Sequence, residues 1–165
     1  MPIREFRRSL PMSLLRAREA VMKNFTPHLR QHDISTQQWR VLRALFDAID
    51  SDNPEVEMTA LSEQCFLLLP SLSRIIQNLE KRKLVERRIS DKDQRRSMIS
   101  LSKSGIKLVD LMAPQSEARY AHITEVFGYG KLELLYELLE ELTDKLTVTE
   151  YEISDEEQSL PGVKA

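Results

Sequence analysis

The chain is 165 residues long, 41% hydrophobic and 30% charged, with four glycines, one cysteine and a formal net charge of −2. That length holds one domain with a real core and is too short for two sizeable ones. A lone cysteine excludes an intrachain disulfide and fits a reducing cytoplasm, and no apolar run reaches the length of a signal-peptide core or a membrane span.

Ser9 to about Gln31 is predicted as a long first helix, kinked by Pro27 near its end. Ser35 with Gln38 three residues on is a capping-box pair, so a second helix runs from there to about Ala48. Asp50 to Glu57 is acidic, contains Asn53-Pro54 and is expected as a loop. Thr59 is placed to cap a short third helix through Cys65, and Pro70 opens the fourth in its first turn. There Leu72, Ile75, Ile76 and Leu79 fall at i, i+3, i+4 and i+7, one apolar stripe that must turn inward. Ser71, Ser73, Arg74, Gln77 and Lys81 are left for the outer side.

Two β-tending runs follow, Leu84 to Ile89 and Ser97 to Leu101, joined by the polar turn Ser90 to Arg96. Arg87, Arg88, Arg95 and Arg96 make this hairpin cationic. Ser102-Lys103-Ser104-Gly105 leads into a fifth helix ending near Gly128, Lys131 to about Thr147 is the sixth, and 150–165 is expected as a mobile acidic tail. The order predicts a mainly α, α+β winged helix-turn-helix: six helices and a two-stranded wing in one domain, 1–165.

That layout points to double-stranded DNA. Ser71, Ser73, Arg74, Gln77 and Lys81 suit base edges and phosphates in a major groove, and Arg95 and Arg96 suit the phosphate backbone or the adjacent minor groove. Charge is partitioned accordingly. Ser71 to Lys107 holds 11 Lys or Arg against 4 Asp or Glu, whereas Leu108 to Ala165 holds 4 against 13. The net −2 conceals this, and binding depends on the local field.

The first helix (about 9–31) and the last two (about 103–147) exceed what such a small domain needs for its own core. Leu135, Leu138, Leu139, Leu142 and Leu146 form one stripe, and Leu14, Val21 and Phe25 another. These ends either pack across a two-fold axis into a homodimer or form a monomeric helical subdomain. A dimer presents two recognition helices to a pseudo-palindromic operator.

The order of elements, the Asp93-x-Arg95 wing tip and the Leu101-Ser102-x-x-Gly105 exit together resemble the MarR family of dimeric transcriptional regulators, over about Ser9 to Leu146. The run from Leu14 to Leu45 and Pro70-Ser71-Leu72 look like the branch that represses homoprotocatechuate (4-hydroxyphenylacetate) degradation, with regulators of hydroxycinnamate catabolism related to it. Leu69 departs from that branch, which is expected to carry a polar or basic residue there. The resemblance implies repression relieved by a small phenolic or aromatic acid bound between dimer helices and DNA-binding lobe.

The residues offer such a site independently. Leu14, Arg18, Val21, Phe25 and His32 share one sector of the first helix, which sets a guanidinium among apolar neighbours. Its partner is either an internal carboxylate or the carboxylate of an effector. Trp39 and Arg43, one turn apart on the second helix, pair an aromatic wall with a cation, unless Trp39 is plain core filler. His32 is either a polar boundary residue or a donor to a phenolate or carboxylate. Arg40 lies opposite the apolar face and is expected at the surface or between subunits.

Other functions have less support. His28, His32, His122 and Cys65 supply no HExxH, no paired-cysteine zinc spacing and no nucleophile elbow, and no glycine-rich phosphate loop exists, so neither an enzyme nor a metal or cofactor is expected. A redox sensor through Cys65 is one alternative, although Cys65 follows Leu61 on an apolar face and reads as a buried thiol. A winged helix used only for protein contacts is another.

Overall fold

The computed structural model describes residues 5–51 and 54–157, with side chains through 147. A 3-10 turn, Phe6–Arg8, precedes α1 (Leu10–Gln31), α2 (Thr36–Asp47), β1 (Val56–Glu57), α3 (Met58–Gln64), α4 (Leu69–Lys81), β2 (Val85–Ile89), β3 (Ser97–Leu101), α5 (Lys103–Phe127) and α6 (Tyr129–Glu157). The six helices and the hairpin fall where the sequence places them, except that α6, expected to end at about Thr147, runs on to Glu157. They divide into two compact units, residues 1–119 and 120–165.

The core of the first unit is the set of apolar stripes turned toward one another. Val41, Leu42 and Leu45 of α2, Leu61 and Cys65 around the end of α3, and Leu72, Ile76 and Leu79 of α4 are buried with Val85 and Ile99 of the hairpin and Val109 and Met112 of α5. Fully burying a leucine or isoleucine stabilises by about 1.5–3 kcal/mol, so this cluster fixes how α4 sits on its support. The stripe expected on α1 splits: Phe25 is buried while Leu14 and Val21 are exposed.

Local chemistry explains most boundaries. Ser35 Oγ accepts from the Gln38 amide at 3.1 Å, and Gln38 Oε1 accepts from the Ser35 amide at 2.8 Å, completing the expected capping box. Thr59 does not cap α3. Glu57 takes the N-cap position, and the Thr59 hydroxyl, inside the first turn, donates to the Glu57 carboxylate at 2.9 Å. Val56 and Glu57, expected in a loop, pair antiparallel with Ile99 and Met98 and extend the wing to a three-stranded sheet of order β1-β3-β2. Two residues are too few for alternation to show.

Helices α1, α3 and α4 end alike. The amides of Ile34, Leu67 and Leu84 reach back to the carbonyls of Leu29, Ser62 and Leu79, which puts Asp33, Phe66 and Lys83 in the left-handed region at φ of 53°, 49° and 58°. Each is a position that favours glycine, and each gives a tight change of direction between packed helices or into the hairpin.

The Leu101-Ser102-x-x-Gly105 exit has a physical reason. Ser102 Oγ donates to the Lys83 carbonyl at 2.6 Å and accepts from the Gly105 amide at 3.0 Å, capping α5 against the root of the hairpin. The Leu84 carbonyl packs so closely on Gly105 that any Cβ there would collide with it.

In the second unit the end of α5 turns at Gly128, φ 96°, into α6. Leu134, Leu135, Leu138, Leu139 and Leu146 are exposed and Leu142 is half-buried. The backbone of 150–157, expected to begin a mobile tail, continues α6, and 158–165 lie outside the described residues. Among the described residues no helix is long and apolar enough to cross a membrane.

Candidate nucleic-acid interface and effector site

Helix α4 buries Leu72, Ile76 and Leu79 and leaves Ser71, Arg74, Gln77 and Lys81 exposed, with Ser73 half-buried at the edge. The expected outer set is therefore one continuous face. No side chain caps its first turn, where Pro70 sits, so that end presents peptide dipole and amides to an approaching anion.

The wing is more tightly organised than a free basic loop. Ser90 N donates to the Arg96 carbonyl and Arg96 N to the Asp93 carbonyl, both at 2.9 Å, while Asp93 Oδ1 accepts from the Arg95 amide at 3.0 Å. That amide, with the Arg95 and Arg96 side chains, holds the Asp93 carboxyl below its usual range. Of the four arginines, Arg88 forms a two-pronged pair with Glu55 and also meets Asp91, Arg96 meets Glu57 at 3.0 Å and Asp93 at 3.4 Å, and Arg87 donates to Ser97 Oγ. Arg95 is 92% exposed and, among the described residues, pairs only with Asp93, at 3.4 Å. Arg95 is thus the more exposed and the more weakly engaged of the pair at the tip, while Arg96 is held by two carboxylates. The carboxylates come from β1 and the residue before it, so the strand the sequence hid is what organises the wing. A cleft of about 540 Å³ opens there, lined by Glu55, Glu57, Arg88, Asp93 and Arg96 among others, and shares nothing with the expected effector set.

The four expected effector residues divide. Arg18 is exposed on α1 and pairs with its neighbour Glu19 at 2.7 Å, so within one chain it is not buried. Trp39 packs against the core, and its ring meets that of His28 edge-on at 6.4 Å; His28 in turn meets His32 at 5.9 Å. Arg43, one turn beyond Trp39, reaches Asp47 at 3.6 Å and keeps a buried Nε without a hydrogen-bond partner. A buried guanidinium nitrogen left unpaired is costly, and a carboxylate would satisfy it.

The sequence reading missed His28 as a member of this group. It is buried, its Nε2 lies 3.3 Å from Ser116 Oγ of α5, and its Nδ1 has no partner; Arg119 of the same helix likewise has a buried Nε without one. Burial lowers the His28 pKa, outweighing the Gln115 side chain, which raises it, and the charges of His32 and Arg119 act in the same direction as burial. The signal was available, since Phe25, His28 and His32 fall at i, i+3 and i+7.

Arg40 corrects another expectation. It is half-buried and not free at the surface: its Nη1 donates to the Cys65 carbonyl at 2.7 Å and so ties α2 to the end of α3. Cys65 is fully buried, and burial pushes its thiol pKa up, the opposite of what an oxidant-sensing thiolate needs. Among the described residues no group of three or more His, Cys, Asp or Glu is placed to hold a metal ion.

Comparison with known proteins agrees with this geometry. A family model described as MarR family matches residues 32–96. The chain is 39% identical to the HTH-type transcriptional regulator FarR of Neisseria gonorrhoeae, over 86% of this chain and 94% of that protein. It is 37% identical to the homoprotocatechuate degradative operon repressor of Escherichia coli, over 81% and 86%. The solved structure of NadR in complex with 4-hydroxyphenylacetate superimposes with a TM-score of 0.72 at 39% identity, over 86% of this chain and 97% of that one.

Proposed function

Since the chain belongs to the MarR family, we propose that it is a ligand-responsive, DNA-binding repressor of an aromatic-acid catabolic operon, released from its operator by a phenolic or aromatic carboxylate. Ser71, Ser73, Arg74, Gln77 and Lys81 enter the major groove, and Arg95 and Arg96 hold the flanking backbone or minor groove. Trp39 and Arg43 receive the ring and carboxylate of the effector, with His32 and Arg18 contributing. A second copy of the chain covers the exposed leucines of α6 and the apolar residues of α1, making a homodimer that works on chromosomal DNA in the cytoplasm.

One observation carries this reading: α2 bears Trp39 and Arg43 and is bonded directly to the DNA-reading region, through Gln38 to Asn78 of α4 and through Arg40 to Cys65. An effector releases DNA only if it prefers a protein conformation that the operator disfavours, and coupling of about 1–3 kcal/mol is typical. The test is a mobility-shift assay on the duplex upstream of the gene, challenged with phenylacetates, hydroxycinnamates and benzoates. A retarded band dissolved by one of these classes is expected. Failure to retard that duplex or random DNA at low salt overturns the reading.

A further inference from the structure

The end of α4 that a recognition helix turns toward DNA carries a feature that its polar face does not explain. Phe66 is 85% exposed, Leu68 78% and Leu69 45%, three large apolar side chains in four residues. Leu67, between them, packs against the core, so the other three are displayed and not merely left over. Phe66 also occupies a left-handed turn position that glycine fills at less cost.

Their placement is specific. Leu69 is the first residue of α4 and sits at the border of two faces, sharing i, i+3, i+7 spacing with the buried Leu72 and Ile76 and i, i+4, i+8 spacing with Ser73 and Gln77, and its exposure puts it at the edge of the face assigned above to base edges. N-terminal residues of a recognition helix are those that reach base edges. The surrounding segment, 71–107, has 11 basic against 4 acidic residues, which draws in a polyanion such as DNA and disfavours a basic protein surface. In the major groove, the apolar group that a leucine or phenylalanine meets is the thymine C5-methyl.

We propose that Leu69, flanked by Leu68 and Phe66, is a specificity-determining contact that packs on thymine methyl groups in each operator half-site. The proposal rests on the regulator reading. Apolar packing by this side chain gives a preference for thymine where a polar side chain would read a hydrogen-bond pattern, while the backbone amides of the helix start remain open to phosphate.

The test uses the full-length chain and a duplex that it enriches from a randomised pool. Affinity is measured for that duplex and for its counterpart with deoxyuridine in place of every thymine, a change that removes only the methyl groups. Burying one methyl corresponds to about a four-fold effect, or roughly fifteen-fold for two symmetric half-sites. Wild type should lose about that much on the uracil duplex, whereas Leu69→Gln should bind the two duplexes nearly equally. Phe66→Ser, at a largely exposed position, should give an intermediate ratio, and melting curves establish that both variants fold. A wild type that binds its enriched duplex tightly but ignores the missing methyls overturns the proposal alone. Methyl discrimination that survives Leu69→Gln, or variants that alter only the oligomeric state, also overturn it. A chain that enriches no duplex overturns it together with the regulator reading.

Discussion

Gln38 Nε2 donates to Asn78 Oδ1 at 2.8 Å, so one side-chain amide both completes the capping box of α2 and joins that helix to the last turn of α4. Asn78→Ala keeps the cap and removes the tie. It should leave effector affinity unchanged while reducing effector–operator coupling by about 1 kcal/mol. Gln38→Ala removes both and should also lower stability by about 1 kcal/mol. Titrating effector with and without operator, alongside melting curves, separates the two; undiminished coupling in Asn78→Ala would show that the helices communicate by another route.

The two arginines at the wing tip should behave differently. Arg95→Ala is expected to flatten the salt dependence of DNA binding by about one ion equivalent, and Arg96→Ala by less, because Arg96 is already neutralised by Glu57 and Asp93. Glu57→Gln should steepen the slope by freeing Arg96. Binding measured across a salt series decides this, and equal slopes for the two alanine variants would refute it.

Arg43 and Arg18 also separate. Arg43 has the unpartnered buried Nε, so Arg43→Ala should weaken effector binding by about ten- to hundred-fold, the loss of a charge-assisted hydrogen bond. Arg18, exposed beside Glu19, should matter less in a ligand titration unless a second chain encloses it. Calorimetry on each folded variant reads the difference, and intact affinity in Arg43→Ala would make its role structural.

His28 introduces a pH dependence of known sign. Its folded pKa lies below the ordinary value of about 6.5, so the unfolded chain takes up the proton first as pH falls. The stability that neutral His28 contributes is therefore complete above that value and declines below it. Melting temperature should fall between pH 7.5 and 5.5 in the wild type and fall less in His28→Gln. Identical profiles would assign the acid sensitivity elsewhere.

Sequence gave access to what is local. The capping box at Ser35, proline at the start of α4 and the i, i+3, i+4, i+7 stripe of Leu72 to Leu79 each act within one helix, and each appears as expected. What sequence concealed depends on distant partners. Glu55 and Glu57 read as loop residues until β3 is beside them, Arg40 as a surface residue until α3 ends against it, and His28 as an isolated histidine until Ser116 arrives from 88 positions away. The outer face of α4 was visible because its opposite face must be buried. The group around Trp39 and His28, where we propose the effector binds, was only partly visible, since it draws on α1, α2 and α5 together.

The carboxylates beside the wing have a consequence for how long the protein spends at wrong addresses. With Arg88 and Arg96 already matched by Glu55 and Glu57, the hairpin approaches an arbitrary stretch of chromosome with part of its charge answered from within. Fewer counterions are displaced in that encounter, so residence on each of the vast number of competing sites is shortened. At the correct sequence, if base contacts hold α4 in place as proposed, phosphates would compete for those arginines. Internal pairing of this kind trades grip everywhere for contrast at one place, and it shortens the search for an operator.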